Sequence, residues 1–153
     1  MQEELKSLQD NETWELVPLL SKRKLVQCKW VYRNKMGIDG TYVTYKDRLV
    51  SKGFSQVHGL DYTETFAPMA KMDSIRLFLA IVASKRWEVH HMDVMSDFIH
   101  GEIHEDIYMH HPKCFIHDTS LVFILNKSLY GPKQAPRAWY AKMDNFLLSL
   151  GSE

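Results

Sequence analysis

Residues 28–54 read CKWVYRNKMGIDGTYVTYKDRLVSKGF, and their alternation decides the fold class. From Gln27 to Asn34, Cys28, Trp30 and Tyr32 fall on one side of an extended chain, with Lys29 and Arg33 on the other. Successive side chains leave a strand on opposite faces, so this period of two marks a half-buried strand. Asp39-Gly40 accepts the positive φ of a tight hairpin turn, and Tyr42 to Val50 becomes the returning strand. Residues 25–54 therefore predict a β-hairpin with one basic face.

Working outward, Met1, Leu5 and Leu8 recur at i, i+4 and i+7, a short amphipathic helix that frays toward Asn11. Beyond the hairpin, Asp73 or Ser74 can cap a helix whose apolar face is Ile75, Phe78, Leu79 and Val82. Trp87 leads into an alternating stretch, Glu88 to Val94, read as a strand. Residues 97–106 are mixed and acidic, a short helix or loop, and Ile107 to Met109 and Leu121 to Leu125 are short strands. A last helix begins near Pro136, carries Trp139, Met143, Phe146, Leu147 and Leu150 as one stripe, and stops at Gly151. Helix, hairpin, helix, strands and helix in that order predict an α+β fold.

Composition narrows the class. The chain has 153 residues, 45% hydrophobic and 25% charged, which suits one domain or two small subdomains sharing a core. Nineteen basic residues balance nineteen acidic ones, so the overall charge lends no support to a polyanionic partner. Local charge does. Lys22, Arg23, Lys24, Lys29, Arg33, Lys35, Lys46, Arg48 and Lys52 crowd the hairpin, with Trp30, Tyr32, Tyr42 and Tyr45 interleaved. Aromatic faces among cations can stack bases, although strand aromatics equally form the buried face of a sheet. Cys28 and Cys114 match no metal or redox spacing and read as two reduced thiols. The polar start, MQEELKSLQD, has no apolar core of a signal peptide, and no stretch is long enough to cross a bilayer. These features predict a soluble intracellular chain, compartment open.

Three stretches together resemble the reverse transcriptase of Ty1/copia-type retrotransposons: residues 28–68, CKWVYRNKMGIDGTYVTYKDRLVSKGFSQVHGLDYTETFAP; residues 87–109, WEVHHMDVMSDFIHGEIHEDIYM; and residues 127–143, KSLYGPKQAPRAWYAKM. The resemblance implies a partial right-hand polymerase. Residues 1–24 would be an N-terminal helix and lead-in, 25–86 a fingers-like region, and 87–153 an incomplete palm-like region stopping before the paired-Asp motif. It implies RNA-directed DNA synthesis on an RNA/DNA primer–template with a deoxynucleoside triphosphate. It also implies Mg²⁺, since nucleotidyl transfer uses two ions roughly 3.5–4 Å apart. Asp93 would be the first catalytic carboxylate and metal ligand. Lys35 and Arg48 would meet the triphosphate, Phe98 would lie beneath the sugar, and Gln134 would touch the sugar and base region.

The same comparison shows departures. The second and third catalytic carboxylates of the family have no counterpart here, so polymerisation by the chain alone is not expected. Asp97 stands where the family has a small residue, placing a negative charge against the sugar pocket and beside Phe98. Pro132, His100 and the HHPKCF segment also depart from the pattern. A non-catalytic nucleic-acid-binding fragment and a decayed, non-functional copy stay open as alternatives. Self-association through the incomplete palm is expected, because uncovered sheet edges and apolar faces seek partners. His110-x₃-Cys114-x₂-His117 offers zinc-type ligands, but a structural site needs four in closed geometry, and loop histidines are the simpler reading.

Overall fold

A computed structural model describes residues 1–19, 23–36, 43–94, 96–112, 115 and 120–151, and among them two separate sheets and three α-helices organise the fold. In chain order the elements are α1 (Gln2–Asp10), β1 (Trp14–Pro18), β2 (Leu25–Val26), β3 (Cys28–Met36), β4 (Val43–Ser51), α2 (Met72–Lys85), β5 (Tyr108–Met109), β6 (Leu121–Leu125) and α3 (Ala135–Leu150). Short 3₁₀ turns occupy Gly53–Ser55 and Asp97–His100. The fold is thus mixed α and β.

The hairpin forms as its alternation predicts. β3 and β4 pair antiparallel from Cys28↔Ser51 to Met36↔Val43. Leu49 is buried and Trp30, its cross-strand partner, packs against the core. Burial stops halfway, because Tyr32 on the same face is 63% exposed. The Asp39-Gly40 turn and Tyr42 lie outside the described residues.

The second sheet runs in the order β1-β6-β5-β2. β1 was not anticipated: Trp14–Pro18 pairs antiparallel with β6, and Trp14 stacks on Phe123 with ring centroids 4.4 Å apart. Pro18 ends this edge strand, where a missing N–H costs no ladder bond. The carbonyl of Thr13 accepts the N–H groups of both Asn126 and Lys127, fastening the start of β1 to the residues after β6. β2 joins β5 in parallel. Leu8 from α1, Val26, Leu49, Ile99, Ile107, Met109, Phe123 and Leu129 share one core between the hairpin and this sheet. Each fully buried side chain of this kind contributes about 1.5–3 kcal/mol.

α3 begins and ends as the sequence indicates, with Pro136 in its first turn and Gly151 at its C-cap. Only the first half of its stripe finds cover: Trp139 and Met143 are half-buried, while Phe146, Leu147 and Leu150 are exposed. Gly101 makes the docking possible, since a Cβ there would sit 2.8 Å from the backbone of Ala138 and Trp139.

Two expectations require correction. Residues 88–94 do not form a strand. No described strand offers them a ladder, and a strand's N–H and C=O groups need a neighbour to pair with. Met92 in that segment is 84% exposed. α2 starts earlier than anticipated: its N-cap is Lys71, two residues before Asp73 and three before Ser74, and Asp73 instead pairs with Arg76 at 3.5 Å inside the first turn. Of its apolar face only Val82 is buried, and Phe78 is 57% exposed. No helix among the described residues is long and apolar enough to cross a membrane.

Candidate nucleotide-binding site

β4, the 3₁₀ turn at Asp97–His100 and the segment entering α3 meet at Tyr130. The N–H of Ser51 donates to the Tyr130 carbonyl at 2.8 Å, so residues 129–131 run alongside the end of β4. This approach needs two glycines. A Cβ on Gly131 would lie 2.0 Å from the Ser51 carbonyl oxygen, and one on Gly53 would lie 2.0 Å from the Gly131 oxygen. Gly131 also has φ +111°, in the region L side chains rarely adopt.

Held this way, the Tyr130 ring lies under the Arg48 guanidinium, 4.7 Å from Cζ to centroid, a cation–π contact. The Phe98 ring meets Tyr130 edge-on with centroids 5.1 Å apart, and the Tyr130 hydroxyl donates to Asp97 Oδ1 at 3.4 Å. Arg48 is half-buried on strand β4, and its buried Nε–H has no hydrogen-bond partner among the described residues. An unpaired buried donor on a cation is costly and is best satisfied by an anion.

Two carboxylates flank this pair. Glu4, on α1, is half-buried; burial raises its pKa and the neighbouring Asp47 adds to the rise, while the Leu49 backbone, Arg48 and Lys46 pull it down. Burial likewise pushes the Tyr130 hydroxyl up. Arg48 opposes that rise, and the negative charges of Asp97 and Glu4 reinforce it. Arg48, Tyr130, Asp97 and Glu4 thus form one electrostatic unit.

Gln134 sits apart from the rings, 3% exposed in a polar network. Its Oε1 accepts from Gln56 Nε2 at 3.1 Å and its Nε2 donates to the Asp61 carbonyl at 3.0 Å. Gln56 Oε1 in turn accepts the Lys133 N–H at 2.8 Å. This network clamps the 53–62 loop onto the start of α3. Gln134 also forms part of the wall of a cleft of about 710 Å³, where Glu64 pairs with Arg137 and Glu102 with Lys142, both at 3.5 Å.

The structure therefore brings Arg48 and Phe98 together through Tyr130, a residue the sequence reading missed. Its signal was the Tyr-Gly pair inside KSLYGPKQAPR, which reads locally as an ordinary turn. Gln134 lies four residues farther along the same segment, entering α3. Lys35 stands opposite Thr44 in the hairpin ladder. Asp93 is exposed in the irregular segment after α2, and no hydrogen bond or ion pair ties it to Arg48 or Phe98. Among the described residues no group of three His, Cys, Asp or Glu side chains could hold a metal ion. Of the zinc-type trio, Cys114 and His117 lie outside the described residues.

Comparison with known proteins bears on the same residues. The profile of the reverse transcriptase (RNA-dependent DNA polymerase) family matches residues 11–153. The chain is 48% identical over 151 residues to the retrovirus-related Pol polyprotein from transposon TNT 1-94 of Nicotiana tabacum, covering 97% of this chain and 11% of that protein. It is 43% identical over 144 residues to the Pol polyprotein from transposon RE1 of Arabidopsis thaliana, covering 92% of this chain and 10% of that protein. It is 22% identical over 134 residues to the transposon Ty1-H Gag-Pol polyprotein of Saccharomyces cerevisiae, 84% of this chain and 7% of that protein. The chain thus spans about a tenth of the length of its first curated relatives. No solved structure matches it. The chain belongs to the reverse transcriptase family and corresponds to part of the reverse transcriptase domain of copia-type retrotransposon Pol polyproteins.

Proposed function

We propose that this chain supplies the fingers and the first part of the palm of a reverse transcriptase, and that its own residues bind the incoming nucleotide. Residues 25–86 are the fingers-like region and 87–153 the palm-like region, with 1–24 leading in. The observation that carries the reading is the Arg48 guanidinium stacked on Tyr130, its buried Nε–H unpaired among the described residues and the Phe98 ring alongside. Arg48 receives phosphate oxygens, and Lys35 on the other hairpin strand is the second proposed triphosphate residue. Phe98 and Tyr130 present ring faces to the sugar, and Gln134 keeps the supporting loop in place. Asp93 is the proposed metal-binding carboxylate. A single carboxylate does not hold two ions, so binding is what this chain's own residues contribute.

A second surface favours nucleic acid. Arg33 and Lys46 stand directly opposite each other across the hairpin, both exposed and with no ion pair among the described residues. Directly opposed like charges destabilise a sheet, and a phosphate backbone removes that cost.

Titration with deoxythymidine triphosphate and Mg²⁺ tests the nucleotide reading. Arg48→Ala should weaken binding by roughly 10-fold or more, the worth of a charge-assisted hydrogen bond. Equal affinity of parent and variant would refute the reading.

A further inference from the structure

Arg48 is the cation of the pocket, yet it is not a free one. Asp97 approaches from the 3₁₀ turn and Glu4 from α1, and both act on the Tyr130 hydroxyl over whose ring Arg48 lies. Glu4 sits on α1, which the ion pair of the Met1 amino group with Asp47 and the shared packing of Leu8 and Leu49 hold against β4. Asp97 is tied down by the Tyr130 hydroxyl. Both carboxylates are partly buried, so solvent screens them less than surface charges. α1, which carries Glu4, lies wholly before the residues matched by the family profile.

We propose that Glu4 and Asp97 set the anion affinity of this pocket, holding it well below what Arg48 on Tyr130 would give without them. The inference rests on the nucleotide-binding reading above. A triphosphate entering the pocket meets the two fixed negative charges together with the guanidinium, so part of its attraction to Arg48 is cancelled before contact. The restraint is electrostatic: it does not depend on Asp97 crowding Phe98. Weakening of the pocket is therefore reversible by removing charge without changing shape.

Glu4→Gln and Asp97→Asn do this. Each keeps the shape and an oxygen acceptor of the carboxylate it replaces, so Asp97→Asn can still accept from the Tyr130 hydroxyl, and each removes one charge. With deoxythymidine triphosphate and Mg²⁺ as the probe, each variant should bind roughly 3- to 10-fold tighter than the parent at low salt, and the double variant tighter still. The advantage should shrink as salt is added, which a merely structural effect would not do. Arg48→Ala placed on the double variant should abolish the gain. If both isosteric variants bind within twofold of the parent while Arg48→Ala loses binding, the proposal is overturned and the nucleotide site stands. If Arg48→Ala binds like the parent, or no variant binds at all, the site itself is wrong and the proposal falls with it.

Discussion

Replacing Gly131 by alanine should cost about 3–6 kcal/mol, enough to threaten a domain whose total stability is ordinarily about 5–15 kcal/mol. Three effects act together. The left-handed φ of +111° costs an L residue about 1–2 kcal/mol. The new Cβ would lie 2.0 Å from the Ser51 carbonyl oxygen and 3.0 Å from Val50 Cγ1, so backbone must shift, an overpacking cost of about 1–3 kcal/mol. That shift pulls on the adjacent Ser51 N–H to Tyr130 bond of 2.8 Å, worth about 0.5–1.5 kcal/mol. Gly59 provides the internal control: its φ is +79°, but nothing lies within 4 Å of a Cβ there, so Gly59→Ala should cost only the conformational part. Urea unfolding followed by tryptophan fluorescence reads the difference. At a slope of about 2 kcal/mol per molar, Gly131→Ala should lower the midpoint by about 1.5–3 M, and Gly59→Ala by under about 1 M. Midpoints for the two variants within about 0.5 M of each other would mean that residues 129–131 do not pack against 51–53.

Phe123→Ala removes a fully buried ring that stacks on Trp14 and meets Phe115 at 5.9 Å, and should cost about 3–5 kcal/mol by the same unfolding measurement. Burial pushes the Cys28 thiol up to about 11 from its usual 9.0, so in a Cys114→Ser background iodoacetamide at pH 8 should label folded Cys28 about 100-fold slower than unfolded chain. Because the folded pKa is the higher one, this group's stabilisation is complete below pH 9 and declines as pH rises toward 11; a melting temperature that rises across that window in the parent but not in Cys28→Ala would contradict the assignment. The exposed α2 face should drive self-association, and sedimentation velocity should show Phe78→Glu more monomeric than the parent; identical distributions would clear that face. Primer extension on a polyriboadenylate template with Mg²⁺ should be absent for the parent and for Asp93→Ala alike, and extension by the parent but not the variant would mean that other carboxylates of the chain complete a two-metal site with Asp93.

What could be read from the sequence was what local chemistry governs. The β3–β4 hairpin, α3 with Pro136 and Gly151 at its ends, and the short strands β5 and β6 follow from side-chain period and terminal residues alone. What escaped was set by partners far along the chain. β1 is five residues long and exists because β6 pairs with it. Residues 88–94 have the alternation of a strand and no ladder to join, so pattern and structure disagree. At the site, Arg48 and Phe98 were legible through the family resemblance. Tyr130 was not, because its role comes from the approach of Gly131 to Ser51 and not from its own neighbours in sequence.

The pairing of β1 with β6 also places the chain's folding on a clock. Trp14–Pro18 leaves the ribosome about a hundred residues before Leu121–Leu125 does. At roughly 5–20 residues per second, that interval is on the order of 5–20 s. Until it ends, Trp14, Leu16 and Val17 have neither a ladder nor the Phe123 ring to stack on, and they form a short sticky segment open to chaperones or to neighbouring nascent chains. Translation speed between the two strands therefore governs how much of the nascent chain is captured before its sheet can close.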